Sequence, residues 1–524
     1  HKPFHQEGAC PLPSALLPLG FPILVTTVSE QRPVLTLEKG LIEGPINGEK
    51  KRQTLIVKAK RYRSETVVLR ESGKISADVA QFALSSMMTW TQELFISEEG
   101  VYNIQPRVLG GGSTLSAGFY TRVSDDYVEE AEWEMEEVEA AYEWVEKKLV
   151  YRPPMKGWQS ALKDGLLEAG VLPYNGFTLD HIYGTKIGVM LFDREGQKHS
   201  VVELLKYANS DTIVVYLYAY VHKILFTTKG RPKPKASGVI YQDADRVFHK
   251  AELVNKAMNE VLLMLSGVGP TTHLKAHKIN RVVLDNPMVG QGMGDNLINI
   301  VVVPFPQPVG VSLLEVVGIT KFDSFSEYCA GLSLSYNLTH FPTRYNIVTL
   351  NVNKPHILKG SHPQNKGTMA SLSTQSTIEF FKSIDGLILQ KYTNATAHEL
   401  FNLMLDIPTN LRPRHVTSTL NLTQFCIDTV MTIWHYHGGC QVGRVVDKNY
   451  KVLGIDALRV IDGSTFLKSP GTNLQATVMM LGRYMGQRIL RERDEVGEKN
   501  EKDLSVSPIE DETNLCSSFP KNKL

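Results

Sequence analysis

LRVIDGSTFLKSPGTNLQ, residues 458–475, decides how the chain folds. Its β-branched opening, 458–461, predicts a short strand that is broken at Asp462-Gly463-Ser464, and Pro470-Gly471-Thr472-Asn473 makes a second turn. Residues 476–493 then read as an uninterrupted amphipathic helix. A strand that passes through glycine turns into a long helix leaves unsatisfied N–H groups and the positive end of the helix dipole at the turn. An anion or a polarised ring edge is favoured there. Asn473 reads equally as the N-cap of that helix or as a functional amide.

Upstream lies IWHYHGGC, residues 433–440. On an extended segment residues two apart share a face, so His435 and His437 are expected to point together. Neutral imidazole suits proton transfer near neutral pH. The spacing leaves three readings open: catalysis, a His-x-His metal pair with no further ligands nearby, and two packed structural histidines. Further upstream, RVLGGGSTLSAGFYTR (107–122) carries three consecutive glycines, which let a backbone approach a phosphate or a flat ring closely. Ser113 follows them directly, so the Gly-Lys-Ser/Thr of a P-loop is missing, and a plain glycine turn stays open as the alternative. The one segment near a Gly-x-Gly-x-x-Gly pattern, residues 290–294, has the wrong spacing and is expected to be a loop.

Between these motifs, Met135, Val138, Tyr142 and Val145 form an apolar stripe in the acidic stretch 127–150, predicting a helix with its glutamates mostly on the solvated face. Residues 158–168 and 260–266 read as helices, the second ended by Gly267-Val268-Gly269-Pro270. Residues 213–226 and 237–241 read as strands. The basic run 50–63 reads as an exposed segment, and 494–524 as a charged, Ser-rich disordered tail.

The chain has 524 residues, with 56 Lys plus Arg against 55 Asp plus Glu; a net charge of +1 excludes the basic excess of a dedicated nucleic-acid binder. Five cysteines exclude a disulfide-dense scaffold, and they show no zinc spacing. Residues 9–28 have almost the length of a membrane span, but Pro11, Pro13, Pro18 and Pro22 would break the helix. They also lack the basic start and the cleavage site of a secretory signal. Sequons at Asn337, Asn394 and Asn421 lean towards secretion.

Taken together, RVLGGGSTLSAGFYTR (107–122), GFTLDHIYGTKIGVMLFDREGQKHSVVELLKYAN (176–209), LMLSGVGP (263–270), VGQGMGDN (289–296), TIWHYHGGC (432–440) and residues 458–493 resemble the glucose-methanol-choline (GMC) family of FAD-dependent oxidoreductases. Within it they are similar to the plant branch that includes the mandelonitrile lyases. The resemblance implies an α/β (α+β) fold in two domains: a Rossmann-like FAD-binding domain assembled from separated segments, and a substrate domain on an antiparallel sheet with flanking helices. The implied segments are 1–125, 206–300 and 426–493 for FAD and the active site, 126–205 and 301–425 for the substrate domain, and 494–524 as tail.

Carried over residue by residue, Val108, Gly112, Ser116, Ala117, Gly118 and Phe119 would lie along the flavin, and Val221 would meet the adenine through its backbone. Asp462, Gly463, Leu474 and Gln475 would border the pyrophosphate and ring. His437 matches the family's proton-transferring histidine and Asn473 its partner, with His435 and Tyr436 lining the same pocket. The implied activity is oxidation of a primary alcohol, with a long-chain ω-hydroxy fatty acid as substrate. The alternatives are a hydroxynitrile lyase that uses FAD structurally and an inactive family member. Asn473 favours the oxidoreductase, because the lyases generally carry a second His there. The family's opening strand and Gly-x-Gly-x-x-Gly turn are matched only by Gly8-Ala9-Cys10-Pro11-Leu12. Glu38 is the candidate ribose acid, and 67–71 (VVLRE) its rival. Ser116 and Leu474 stand where the family has Asn and Pro, and a strand and turn of the family are missing between Asn255 and Leu262.

Overall fold

The computed structural model describes residues 92–96, 101–106, 108–208, 215, 217–252, 260–304, 314–320, 324–332, 345–352, 415–419, 422–471 and 473–505. Glu38, the segments 8–12 and 67–71, and the three sequons lie outside the described residues. The largest layer is a seven-stranded sheet, ordered Met431–Thr432, Leu297–Pro304, Tyr345–Val352, Ser324–Leu332, Val316–Ile319, Gly184–Ile187 and Tyr174–Phe177. Every pairing is antiparallel except the last, which is parallel. The helix Gly157–Glu168 flanks it, burying Leu162 and Leu166, and the Gln159 side chain accepts the Val316 N–H at 3.0 Å. That bond supplies a partner for a buried amide that an apolar helix face would leave orphaned.

The second body is a layered core rather than one sheet. An antiparallel meander, Tyr220–Thr227, Lys235–Gln242 and Phe248–Glu252, packs its inward positions Ile224, Val239 and Ala251 into the main hydrophobic cluster. The described strand begins at Tyr220; residues 215 and 217–219 of the expected strand are not in it, and 213, 214 and 216 lie outside the described residues. The described part of the Rossmann-like layer is the parallel pair Val268–Gly269 and Leu284–Asp285, reached from the helix Glu260–Leu265 through Gly267 at φ +88°.

Two helices close this core. Met135–Leu149 buries Val138, Ala141, Tyr142, Val145 and Leu149 against the long helix Gln475–Ser505. Met135, expected on the stripe, is 41% exposed, because it begins the helix beyond the packed turns. Most of the glutamates face solvent, as expected, and two of them hold Arg122: Glu146 at 2.7 Å and Glu139 at 2.7 Å. Both pairs raise the Arg122 pKa above its ordinary value.

Three further expectations need correction. Residues 458–461 form no strand; Arg459 makes an isolated bridge to Lys451. The expected tail starts inside the long helix, which runs to Ser505. The glycine segment 290–294 is no loop: Gln291–Gly294 is a strand paired with His437–Gly439. Glycine there serves close backbone approach, since a Cβ on Gly438 would meet the Gly292 carbonyl oxygen at 2.1 Å.

Candidate active site

The strand pairs explain how the two histidines are placed. Residues 291–298 run antiparallel along 431–439, with Gln291 opposite Gly439, Gly294 opposite His437, Leu297 opposite Thr432 and Ile298 opposite Met431. Between those pairings, 433–436 faces only 295–296, so the longer side bulges out. Trp434 takes φ +62° at the bend, and its N–H donates to the Thr432 hydroxyl at 2.7 Å. The segment is therefore not extended, and strand alternation is not what sets the directions of His435 and His437.

Asp295 and Asn296 hold the bulge from the other side. The Asp295 carboxylate accepts the His435 N–H at 3.0 Å, and the Asn296 carbonyl accepts the Ile433 N–H at 3.2 Å. Burial pushes the Asp295 carboxyl up to about 7. Tyr436 donates its hydroxyl to Asn103 Oδ1 at 2.5 Å, tying the bulge to the strand Tyr102–Pro106.

His437 is 2% exposed. Its Nδ1 lies 3.1 Å from the His435 carbonyl oxygen. A carbonyl only accepts, so this contact places the ring proton on Nδ1 and leaves Nε2 with a lone pair. Desolvation holds the His437 pKa below the usual histidine value, which favours that neutral form. His435 is pushed down to about 3, first by desolvation and then by the nearness of His437. Its ring sits between two amides, Asn296 Nδ2 at 3.2 Å and Asn473 Nδ2 at 3.4 Å. Asn473 thus uses its side chain on His435, and its Oδ1 is buried without a partner.

The glycine turn lies against the start of the long helix. Gly111 N–H donates to the Val108 carbonyl at 3.0 Å, and Gly110 and Gly111 take φ +90° and +55°. A Cβ on Gly111 or Gly112 would meet no described atom within 4 Å, so the backbone fronts open space. Ser116 donates to Gln475 Oε1 at 2.8 Å, and Gln475 Nε2 donates to the Phe119 carbonyl. Lys198, buried and with no carboxylate beside it among the described residues, donates to the Ser116 carbonyl; desolvation lowers its pKa to about 7. Gly118, at φ +82°, packs on the Phe192 ring, and Ala117 borders the cluster of Phe119, Phe192 and Phe325.

Other expected residues sit differently. Asp462 caps the short helix Gly463–Thr465, accepting from the Ser464 N–H at 2.8 Å, and the Ser464 carbonyl accepts the Cys440 N–H at 2.8 Å. Gly463 packs against the Tyr436 carbonyl. Leu474 turns its side chain into the core and its carbonyl accepts the Val478 N–H at 2.9 Å, and Val221 packs on that core from the outer strand of the meander, opposite Tyr241. Cys426 and Cys440 are both buried. Among the described residues no His, Cys, Asp and Glu cluster could hold a metal. No helix among them is long and apolar enough to cross a membrane.

Asn296, Asp295, Asn103 and Lys198 were not singled out from the sequence. Asn296 and Asp295 end the VGQGMGDN block, which was the one available signal. The space before Gly111 and Gly112, free of described atoms, fits a bound FAD, whose flat ring needs a close backbone approach.

The GMC oxidoreductase family model matches residues 76–299 and 389–482. The chain is 41% identical to Protein HOTHEAD of Arabidopsis thaliana, covering 76% of this chain and 78% of that protein. It is 39% identical to the (R)-mandelonitrile lyase-like protein of the same plant, covering 76% and 79%. A third relative, the Sinalpyl alcohol oxidase Nec3 of Nesocodon mauritianus, is 36% identical over 76% of this chain and 78% of that one. Among solved structures, a formate oxidase of Aspergillus oryzae superposes with a TM-score of 0.62 at 15% identity, covering 81% of this chain and 92% of that chain.

Proposed function

The chain belongs to the GMC oxidoreductase family of FAD-dependent flavoproteins, and from that premise we propose that it oxidises a primary alcohol, with His437 as the base. The observation that carries this reading is the 3.1 Å contact of His437 Nδ1 with the His435 carbonyl oxygen: a carbonyl only accepts, so the ring proton belongs on Nδ1 and Nε2 is an unprotonated acceptor. A substrate hydroxyl brought to Nε2 gives up its proton there, and neutral His437 is available for this below the ordinary histidine pKa. Asn473 holds the same oxygen through its amide, and Tyr436 and Asn103 fix the wall beside it. Val108, Gly112, Ser116, Ala117, Gly118, Phe119, Val221, Asp462, Gly463, Leu474 and Gln475 are the residues that would hold FAD. When bound, FAD supplies the acceptor for the hydride that leaves carbon.

The Ser116 and Gln475 side chains lock the glycine turn to the helix start, which keeps the cradle and the base in one rigid unit. The proposed substrate is the long-chain ω-hydroxy fatty acid implied by the sequence resemblance, and the alcohol oxidase among the relatives supports alcohol oxidation in general. The test is anaerobic mixing of the flavin-loaded protein with an ω-hydroxy fatty acid. Bleaching of the visible flavin band is expected. Cyanide release from mandelonitrile without any bleaching by alcohols would overturn the reading in favour of a lyase. The three sequons fit a secreted protein, checked by a mass shift on enzymatic deglycosylation.

A further inference from the structure

Asn296 Nδ2 stands 3.2 Å from His435 Nδ1, and Asn473 Nδ2 stands 3.4 Å from His435 Nε2. Both amide nitrogens are donors, and each faces one ring nitrogen. A neutral imidazole has one lone pair in its ring plane, so it accepts from only one of them. His435 is neutral, since burial pushes its pKa down to about 3. One amide must therefore turn its oxygen to the ring, a rotation that exchanges two atoms of nearly equal size. The Asn473 contact is the longer of the two, so it is the Asn473 amide that turns its Oδ1 to the ring. Turning Asn473 gives that oxygen the His435 Nε2–H and leaves the Asn296 contact untouched.

We infer that Asn296 sets the orientation of the Asn473 amide through His435: Asn296 Nδ2–H donates to Nδ1, Nε2–H donates to Asn473 Oδ1, and the Asn473 NH2 is presented to the substrate oxygen. Asn296 is a positioning residue in this relay, and His435 is its middle link. The opposite relay would present a carbonyl oxygen to an oxygen that is losing its proton, so that two electron-rich atoms would face each other. The last link rests on the proposed oxidoreductase reading; the ring tautomer stands without it. The two neighbouring histidines then hold opposite tautomers, Nδ1–H in His437 and Nε2–H in His435.

Side-chain 15N NMR of the FAD-loaded protein with labelled histidine tests this, His435 being assigned by the signal lost in His435→Gln. Nε2 of His435 is expected to be protonated and Nδ1 bare; the reverse would overturn the relay. In Asn296→Leu, close in shape but without the donor, His435 is expected to show a mixture of tautomers. The rate of flavin reduction by alcohol should fall several-fold, with the visible spectrum unchanged. A single Nε2–H tautomer retained in Asn296→Leu would show that Asn296 does not set it. A mixture of tautomers with a full rate would leave the relay standing and overturn the role given to Asn473.

Discussion

Replacing Gly438 by alanine puts a Cβ 2.1 Å from the Gly292 carbonyl oxygen, 2.9 Å from its carbon and 3.1 Å from Met293 Cα. All three are backbone atoms, so no side chain can swing away. Gly438 also sits at φ +79°, where alanine costs about 1–2 kcal/mol. Relieving the clash requires the strand Gln291–Gly294 to retreat from His437–Gly439, breaking cross-strand hydrogen bonds worth roughly 1 kcal/mol each. The combined cost is about 3–4 kcal/mol, concentrated on the segment that carries His437. A shift of about 1 Å at a catalytic group lowers turnover on the order of 100-fold.

Gly443 is the control: it has φ +77° with nothing within 4 Å, so Gly443→Ala carries the backbone strain without the collision. Thermal melts and alcohol-driven flavin reduction on both variants separate the two terms. Gly438→Ala should melt lower than Gly443→Ala and turn over far more slowly. Equal melting and equal rates would refute the claim that close pairing of these strands positions the base.

Other outcomes follow from the same geometry. Arg122→Ala leaves Glu146 half-buried without its partner and should cost about 3 kcal/mol in chemical denaturation, whereas Lys147→Ala, which breaks an exposed, solvent-screened pair with Glu143, should leave the denaturation midpoint unchanged. Lys198 has a folded pKa lowered to about 7, so the unfolded chain binds its proton more tightly, and stability from this group rises with pH between about 7 and its ordinary value of 10.5. Lys198→Met should flatten that rise in melts taken across the range, and an unchanged profile would count against a buried, unbalanced ammonium. Since desolvation holds His437 below the usual histidine value, the acidic limb of kcat/KM should lie below pH 6.5; a limb above it would mean the base is stabilised in its charged form.

Long periodic segments were legible because helix burial repeats locally: 157–168 and 475–493 needed only their own side chains. The strand Gln291–Gly294 was not, since its partner lies about 145 residues away and its glycines carry no alternating pattern. The same distance hid Asn296, whose meaning depends on a bulge formed by residues 433–436. His437 and Asn473 could be named from motif resemblance, yet the tautomer on which the proposed role of His437 rests comes from a backbone carbonyl. Arg122 ends the glycine motif, but its two glutamates are scattered along an acidic helix where nothing in the spacing singles them out. Met135 misled because periodicity reports a face without saying where packing along it ends.

The account stands or falls on proton removal by His437, and its most direct test is the anaerobic rate of flavin reduction by an ω-hydroxy fatty acid in His437→Ala against the parent protein. A fall of about 10²–10⁴-fold is predicted, with the flavin spectrum retained, partial recovery on adding free imidazole, and the acidic limb of the pH profile gone. The parent's rate and the same acidic limb in His437→Ala would contradict it.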